Sequence, residues 1–292
     1  MMEAHEILHE STLGVTTTSL EAVHMTGGRD MVAKTEGSII FASKVCRHVD
    51  SADGQFAILD EVDLEVREGE CVAIIGPSGC GKTMFLNMVA GLERYDSGTI
   101  LVRGAPPIAG QPGSAYAFAR DGLVPWKDAL GNVELALALR GVNKEEQHTR
   151  ALEALSRVGL ADASHRYRSQ LSQGMRQRVA LARTFVTRPN LLLLDEPFAA
   201  LDAQTRIAMQ DLLLELLSEF SGTVLLVTHD LGEALTLADR VVLFSRRPAS
   251  VKHEYEVDLP RTRGAGRIRS DSRYQRLYEN IWNDLGEEVG VK

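Results

Sequence analysis

Apolar residues along this chain gather in two kinds of pattern. Short continuous runs at Cys71-Val72-Ala73-Ile74-Ile75, Leu191-Leu192-Leu193-Leu194 and Val224-Leu225-Leu226-Val227 predict strands buried on both faces. Residues 128–141 and 143–158 carry helical apolar spacing instead, and 82–90 reads as a helix following the first of those strands. Near the end, Tyr274, Leu277, Tyr278, Ile281, Trp282 and Leu285 fall at i, i+3, i+4 and i+7. They predict a docked amphipathic helix over 271–285. Residues 1–36 follow neither pattern: they hold Thr16-Thr17-Thr18, Gly27-Gly28 and no aromatic residue. They read as a disordered arm, or as an artefact if translation begins at Met25 or Met31. No apolar run approaches the roughly 20 residues a spanning helix requires.

Composition narrows the picture further. The chain has 292 residues and a formal net charge of -8, which counts against a nucleic-acid partner. Three cysteines, Cys46, Cys71 and Cys80, form no C-x-x-C pair and read as reduced thiols of a cytosolic protein. His5 and His9 sit at helical spacing but lack further ligands, so they read as a solvated pair. Arg261, Arg263, Arg267, Arg269, Arg273 and Arg276 face a single acid, Asp271. That stretch reads as a solvated linker, with a basic contact to a membrane or partner as the alternative.

Candidate chemistry begins where the first strand ends. Gly76-Pro77-Ser78-Gly79-Cys80-Gly81-Lys82-Thr83 fits G-x-x-x-x-G-K-[ST], the phosphate-cradling loop. Its glycines let backbone N–H groups point inward as an anion nest, and the helix behind adds its positive end. Lys82 would reach the β- and γ-phosphates, and the Thr83 hydroxyl would ligate Mg²⁺. Cys80 is open to two readings, a thiol activated by the loop or a small residue facing away from the phosphates. A second apolar strand ends in Asp195-Glu196. At that edge of a parallel sheet, Asp195 would hold Mg²⁺ through water and Glu196 would polarise an attacking water. The stretch from Lys82 to Asp195 is far longer than one crossover requires, so a helical subdomain is expected over about 115–187.

Inside that insertion, Leu171-Ser172-Gln173-Gly174-Met175-Arg176-Gln177-Arg178 opens a helix. Together with the phosphate loop, the Asp195-Glu196 strand, Ala200-Leu201-Asp202 and His229 after Thr228, it resembles the ATP-binding-cassette ATPases over roughly residues 38–250. The resemblance implies an α/β fold: a P-loop NTPase core with an antiparallel β subdomain and an inserted helical subdomain. The cassette then spans 37–250, and 251–292 forms a C-terminal extension. It implies a head-to-tail homodimer in which Ser172, Gln173 and Gly174 of one subunit face the γ-phosphate held by the other. Asp202 would communicate across that interface, and His229 would contact the γ-phosphate. His48 stands where the family stacks an aromatic residue on adenine, and Gln173 replaces a signature glycine. Ala119 stands where the family places a glutamine that reaches Mg²⁺ and water, leaving Asp121 as the candidate substitute.

Leu123-Val124-Pro125-Trp126 with Asn132-Val133 looks like the subgroup that energises nitrate, sulfonate and taurine importers. The function implied is a cytoplasmic ATPase, peripheral on the inner face of the membrane, binding ATP and Mg²⁺. It would drive separate transmembrane permease subunits docked near 117–127, with an extracytoplasmic solute-binding protein delivering cargo. The alternatives are a hydrolysis-weakened regulatory cassette, for which Ala119 speaks, and a soluble cassette outside transport.

Overall fold

The computed structural model describes residues 37–51, 54–199, 201–259 and 265–290. Expectations that fall on the first 36 residues, on Ala200, on Arg261 and Arg263, and on the Arg267 side chain lie outside the described residues.

The chain opens with β1 (Ser38–Ser51) and β2 (Gly54–Arg67), an antiparallel pair. β4 (Ser97–Val102) joins the other edge of β1, also antiparallel. In β2, Val62, Leu64 and Val66 are buried while Glu61, Asp63, Glu65 and Arg67 face out, the alternation of a sheet with one wet face.

The second sheet holds β3 (Cys71–Ile75), β5 (Ser114–Ala117), β6 (Leu191–Asp195), β7 (Thr223–Val227), β8 (Arg240–Phe244) and β9 (Val251–Glu256). Its order is β5-β6-β7-β3-β8-β9, parallel except for β9, which returns antiparallel to β8. β3, β6, β7 and β8 are buried along their whole length, as the continuous apolar runs predict. Successive side chains serve different cores. Ala73, Ile75, Leu192 and Leu194 pack with the helical part of the molecule, whereas Val72, Ile74, Leu191 and Leu193 pack with the antiparallel sheet.

Helix α1 (Lys82–Val89) leaves the phosphate loop and places Phe85 against Phe244, ring centroids 5.7 Å apart. The helical part contains α2 (Ala129–Ala138), α3 (Lys144–Arg157) and α4 (Gln173–Phe185), N-capped by Asp128, Asn143 and Ser172. Residues 115–117, placed in the helical insertion by the sequence, instead pair with Leu192–Leu194 of β6. Their backbone donors are taken up by the sheet, so the helical part begins after them.

After β6 come α5 (Ala203–Ser218) and α6 (Leu231–Leu237), and the chain finishes with α7 (Ala265–Ile268) and α8 (Ser272–Val289). α8 matches the predicted amphipathic helix in five of its six stripe residues: Tyr274 and Ile281 are buried, and Leu277, Tyr278 and Leu285 pack against the same core, but Trp282 is 56% exposed and stacks on Tyr278 instead. Within the basic stretch, Arg269 donates to Gln210, and Arg273 pairs with Asp271 and Asp258.

Candidate functional site

The site lies along the C-terminal edge of the parallel strands. β3 runs into the phosphate loop, and β6, beyond the intervening β7, delivers Asp195 and Glu196. Gly76 holds φ 153°, and a Cβ there would lie 2.7 Å from the Phe244 carbonyl oxygen. Only glycine lets the chain leave β3 at that angle.

Lys82 is 5% exposed. Its ammonium donates to the carbonyls of Gly76 and Pro77 at 2.9 and 3.0 Å. Thr83 Oγ1 donates to Asp195 Oδ1 at 2.8 Å. Burial raises the Asp195 pKa and the Glu196 charge adds to it, while the Thr83 hydrogen bond and Lys82 oppose the rise. An oxygen pair of this kind fits Mg²⁺, which typically takes one or two protein oxygens and completes its shell with phosphate and water. No cluster of three or more His, Cys, Asp or Glu able to hold a metal occurs among the described residues.

Glu196 adopts φ 42°, a left-handed conformation that costs a non-glycine residue about 1–3 kcal/mol. Its amide donates to the Val227 carbonyl at 2.8 Å, and its carboxylate lies 3.3 Å from His229 Nδ1. Both groups follow strand ends, and Glu196 lines the cavity over the loop. Cys80 is buried in the core shared with the antiparallel sheet. Burial raises its pKa against the pull of Lys82 and Arg247, so the reading of a small residue turned away stands and the activated thiol does not.

A cavity of about 330 Å³ opens over the loop, lined by Ile58, Gly79, Lys82, Thr83, Glu196 and Arg247 among others. His48 lies on β1, with Nδ1 3.3 Å from Asp96 Oδ2. Arg247 gave no signal in the sequence; its Nε donates to the Gly79 carbonyl.

The signature residues line a different cavity, of about 480 Å³, with Leu201, Asp202 and Thr205. Ser172 caps α4 through Met175 N at 3.3 Å. Asp202 caps α5 through Gln204 N and Thr205 N at 3.1 and 3.0 Å. The Thr205 hydroxyl also donates to Asp202 and leads the effects that lower its pKa. Ser172, Gln173 and Asp202 are exposed. A Cβ on Gly174 would meet the Thr205 methyl at 2.8 Å, so this glycine is fixed by close packing.

Asp121 does not take the place of the missing glutamine. Burial pushes its pKa up, but the Arg168 hydrogen bonds at 3.0 and 3.2 Å, the Leu123 amide and the Arg176 charge hold it below the ordinary value. Arg183 adds hydrogen bonds to the carbonyls of Asp121 and Gly122, both at 2.8 Å. The segment after β5 is therefore held by three arginines, Arg168 from the turn before α4 and Arg176 and Arg183 from α4 itself. Next to it, buried Asn132 accepts from Val124 N and donates to the carbonyls of Val124, Lys127 and Asp128. That pinned turn leaves Trp126 77% exposed.

A sheet of this order with a phosphate loop and paired acids at its edge defines a P-loop ATPase of the cassette type. The family described as "ABC transporter" matches residues 59–199. The taurine import ATP-binding protein TauB of Yersinia pestis is 40% identical over 237 residues, covering 80% of this chain and 93% of its own. The aliphatic sulfonates import ATP-binding protein SsuB 2 of Pseudomonas fluorescens is 42% identical, covering 76% and 81%. The nitrate import ATP-binding protein NrtC of Synechococcus elongatus is 40% identical over 82% of this chain and 37% of its own. Among solved structures, the ATP-binding cassette MJ0796, a dimer bound to ADP and phosphate, superposes with a TM-score of 0.66 at 30% identity, covering 75% of this chain and 98% of its own. The chain belongs to the ATP-binding proteins of ABC transporters, an ATP-hydrolysing family. No helix among the described residues is long and apolar enough to cross a membrane.

Proposed function

We propose that this chain is the ATPase subunit of an importer for a small anion of the nitrate, sulfonate or taurine kind. It works as a head-to-tail homodimer on the cytoplasmic face of the membrane. One observation carries the reading: the phosphate-loop cavity and the signature cavity share no lining residue. A single copy thus holds two half-sites, and a second copy, rotated to face it, completes both.

In that assembly Lys82 exchanges the Gly76 and Pro77 carbonyls for phosphate oxygens, and the loop amides wrap the β-phosphate. Thr83 and, through water, Asp195 would hold Mg²⁺, which would neutralise phosphate charge. Glu196 orients a water for in-line attack and accepts its proton, while His229 keeps the carboxylate in place and faces the γ-phosphate. From the partner, the Ser172 hydroxyl, Gln173, Gly174 and the positive end of α4 meet the same phosphate, with Asp202 beside them. His48 would stack on the base only by turning from Asp96, since it does not line the loop cavity.

The permease subunits would dock on a cavity of about 540 Å³, lined by Leu92, Ile108, Phe118, Leu135 and Leu139 among others. Exposed Trp126 neighbours it in sequence along the pinned turn. An apolar opening of this kind fits a helix end from a membrane partner. A solute-binding protein outside the membrane would act through the permease and not touch this chain. The boundary expected at 250 shifts to about 256, because β9 pairs with β8 in the central sheet; the extension would follow β9 and is held by α8.

ATP turnover by the purified protein tests the proposal. Lys82→Ala is expected to abolish it, and Glu196→Gln to lower it by roughly 10²–10⁴-fold while ATP-bound dimer accumulates in size-exclusion chromatography. Turnover that survives both substitutions defeats the mechanism. Ala119, with Asp121 tied to arginines, favours a second reading, a cassette with weakened hydrolysis; tight ATP binding without turnover in the presence of permease would select it.

A further inference from the structure

Lys82 is not the only cation at the phosphate loop. Arg247 stands in the turn between β8 and β9, and that turn is fixed from below. Ala249 exchanges hydrogen bonds with β2, its N–H donating to Ile58 O at 2.8 Å and its carbonyl accepting from Asp60 N at 2.9 Å. From this anchored turn the Arg247 side chain reaches across to the loop, where Nε donates to the Gly79 carbonyl. Arg247 lines the same cavity as Lys82, Thr83 and Glu196. Its charge is felt inside the loop, where it acts on the Cys80 thiol together with Lys82.

The two cations share one circumstance at the loop itself. Both rest on carbonyl oxygens of the loop, and neither is paired with a carboxylate among the described residues. By contrast, Arg47 at the same rim is neutralised by Glu93 and Asp96. In a protein of net charge -8, two uncompensated cations converging on an anion nest are a local attraction for a polyanion. The guanidinium has five N–H donors and commits one to Gly79, leaving a fork free to face phosphate.

We propose that Arg247 is a second nucleotide-binding cation, contacting the polyphosphate tail of ATP or ADP from the rim while Lys82 contacts it from the floor. This inference rests on the nucleotide-site reading above and adds a residue to it. Isothermal titration of ATP into the full chain separates charge from mere pinning of Gly79. Arg247→Gln keeps a donor for that carbonyl but loses the charge, and is expected to bind ATP about five- to tenfold more weakly. Arg247→Lys is expected to stay within about twofold of wild type, and the difference should shrink as salt rises. Wild-type affinity in Arg247→Gln overturns the inference, and so does a Lys variant as weak as the Gln one. Lys82→Ala is titrated alongside: if it fails to bind while Arg247→Gln binds normally, only this inference falls. If Lys82→Ala also binds normally, the site reading itself falls.

A measurement on unaltered protein guards against a misfolded variant. Phenylglyoxal labelling of Arg247, read by peptide mass mapping, is expected to drop several-fold with saturating ADP and to remain unchanged with adenosine. Labelling indifferent to ADP, or reduced equally by adenosine, contradicts contact with the phosphates.

Discussion

The phosphate-loop half and the signature half of this protein are built on opposite terms. The loop half is finished within one chain. Lys82 and Asp195 are buried, their polar atoms already hold partners, and a left-handed Glu196 is fixed by the Val227 carbonyl. The signature half is exposed, and its polar groups are held by helix caps that leave one side to solvent: Ser172 on Met175, Asp202 on Gln204 and Thr205. Binding is thus prepared in each copy, whereas the step that needs both halves waits for association. Preorganised electrostatics on one side and an open edge on the other make turnover depend on two copies meeting.

Mixing broken halves gives the largest expected effect. Lys82→Ala and Ser172→Ala are each expected to lower turnover by roughly 10²-fold or more alone. Mixed one to one, they should recover about a quarter of wild-type turnover, because half of the dimers carry one composite site with both residues intact. No recovery would place the signature in cis and break the comparison. A smaller gain is expected from Ala119→Gln: an amide in reach of the attacking water should raise turnover about fivefold, equivalent to ~1 kcal/mol, in a steady-state phosphate-release assay. An unchanged rate would show that the arginine-bound segment keeps residue 119 out of the site.

The smallest effect concerns stability of the signature side. The Asp121 carboxyl is held below its ordinary pKa in the folded chain by the Arg168 contact and its neighbours, against the pull of burial. Its contribution is therefore present at neutral pH and fades as pH falls through the folded value. Asp121→Asn should cost about 1 kcal/mol at pH 7 and progressively less under acid, measured by urea unfolding at both pH values. A cost that stays constant with pH would mean that packing, not charge, holds the segment.

The loop half was legible in the sequence because its chemistry is contiguous. Gly76 to Thr83 follow one strand directly, and Asp195-Glu196 end another, so spacing alone carries the geometry. The signature could be read as a cap and helix start for the same reason. What escaped were contacts made across the fold. Arg247 reaches Gly79 only because the turn after β8 is stitched to β2, and no local spacing encodes that. Likewise, Asp121 looked available as a substitute ligand, but Arg168, Arg176 and Arg183 come from the approach to α4 and from the helix itself. The start of the helical part, expected at about 115, falls after residue 117, because Ala115-Tyr116-Ala117 is too short to show a period. Strand pairing with β6 decides it.

The contact between Gly174 and the Thr205 methyl has a bearing on how this sequence can drift. Gln173 beside it is exposed and replaces a signature glycine. A side chain at position 174 must displace the Thr205 methyl, and losing that methyl, as in Thr205→Ser, makes the room directly. The two sites form a ratchet in sequence space. A saturation library at 174 in the present background should yield glycine alone among active clones, whereas the same library in a Thr205→Ser background should admit alanine.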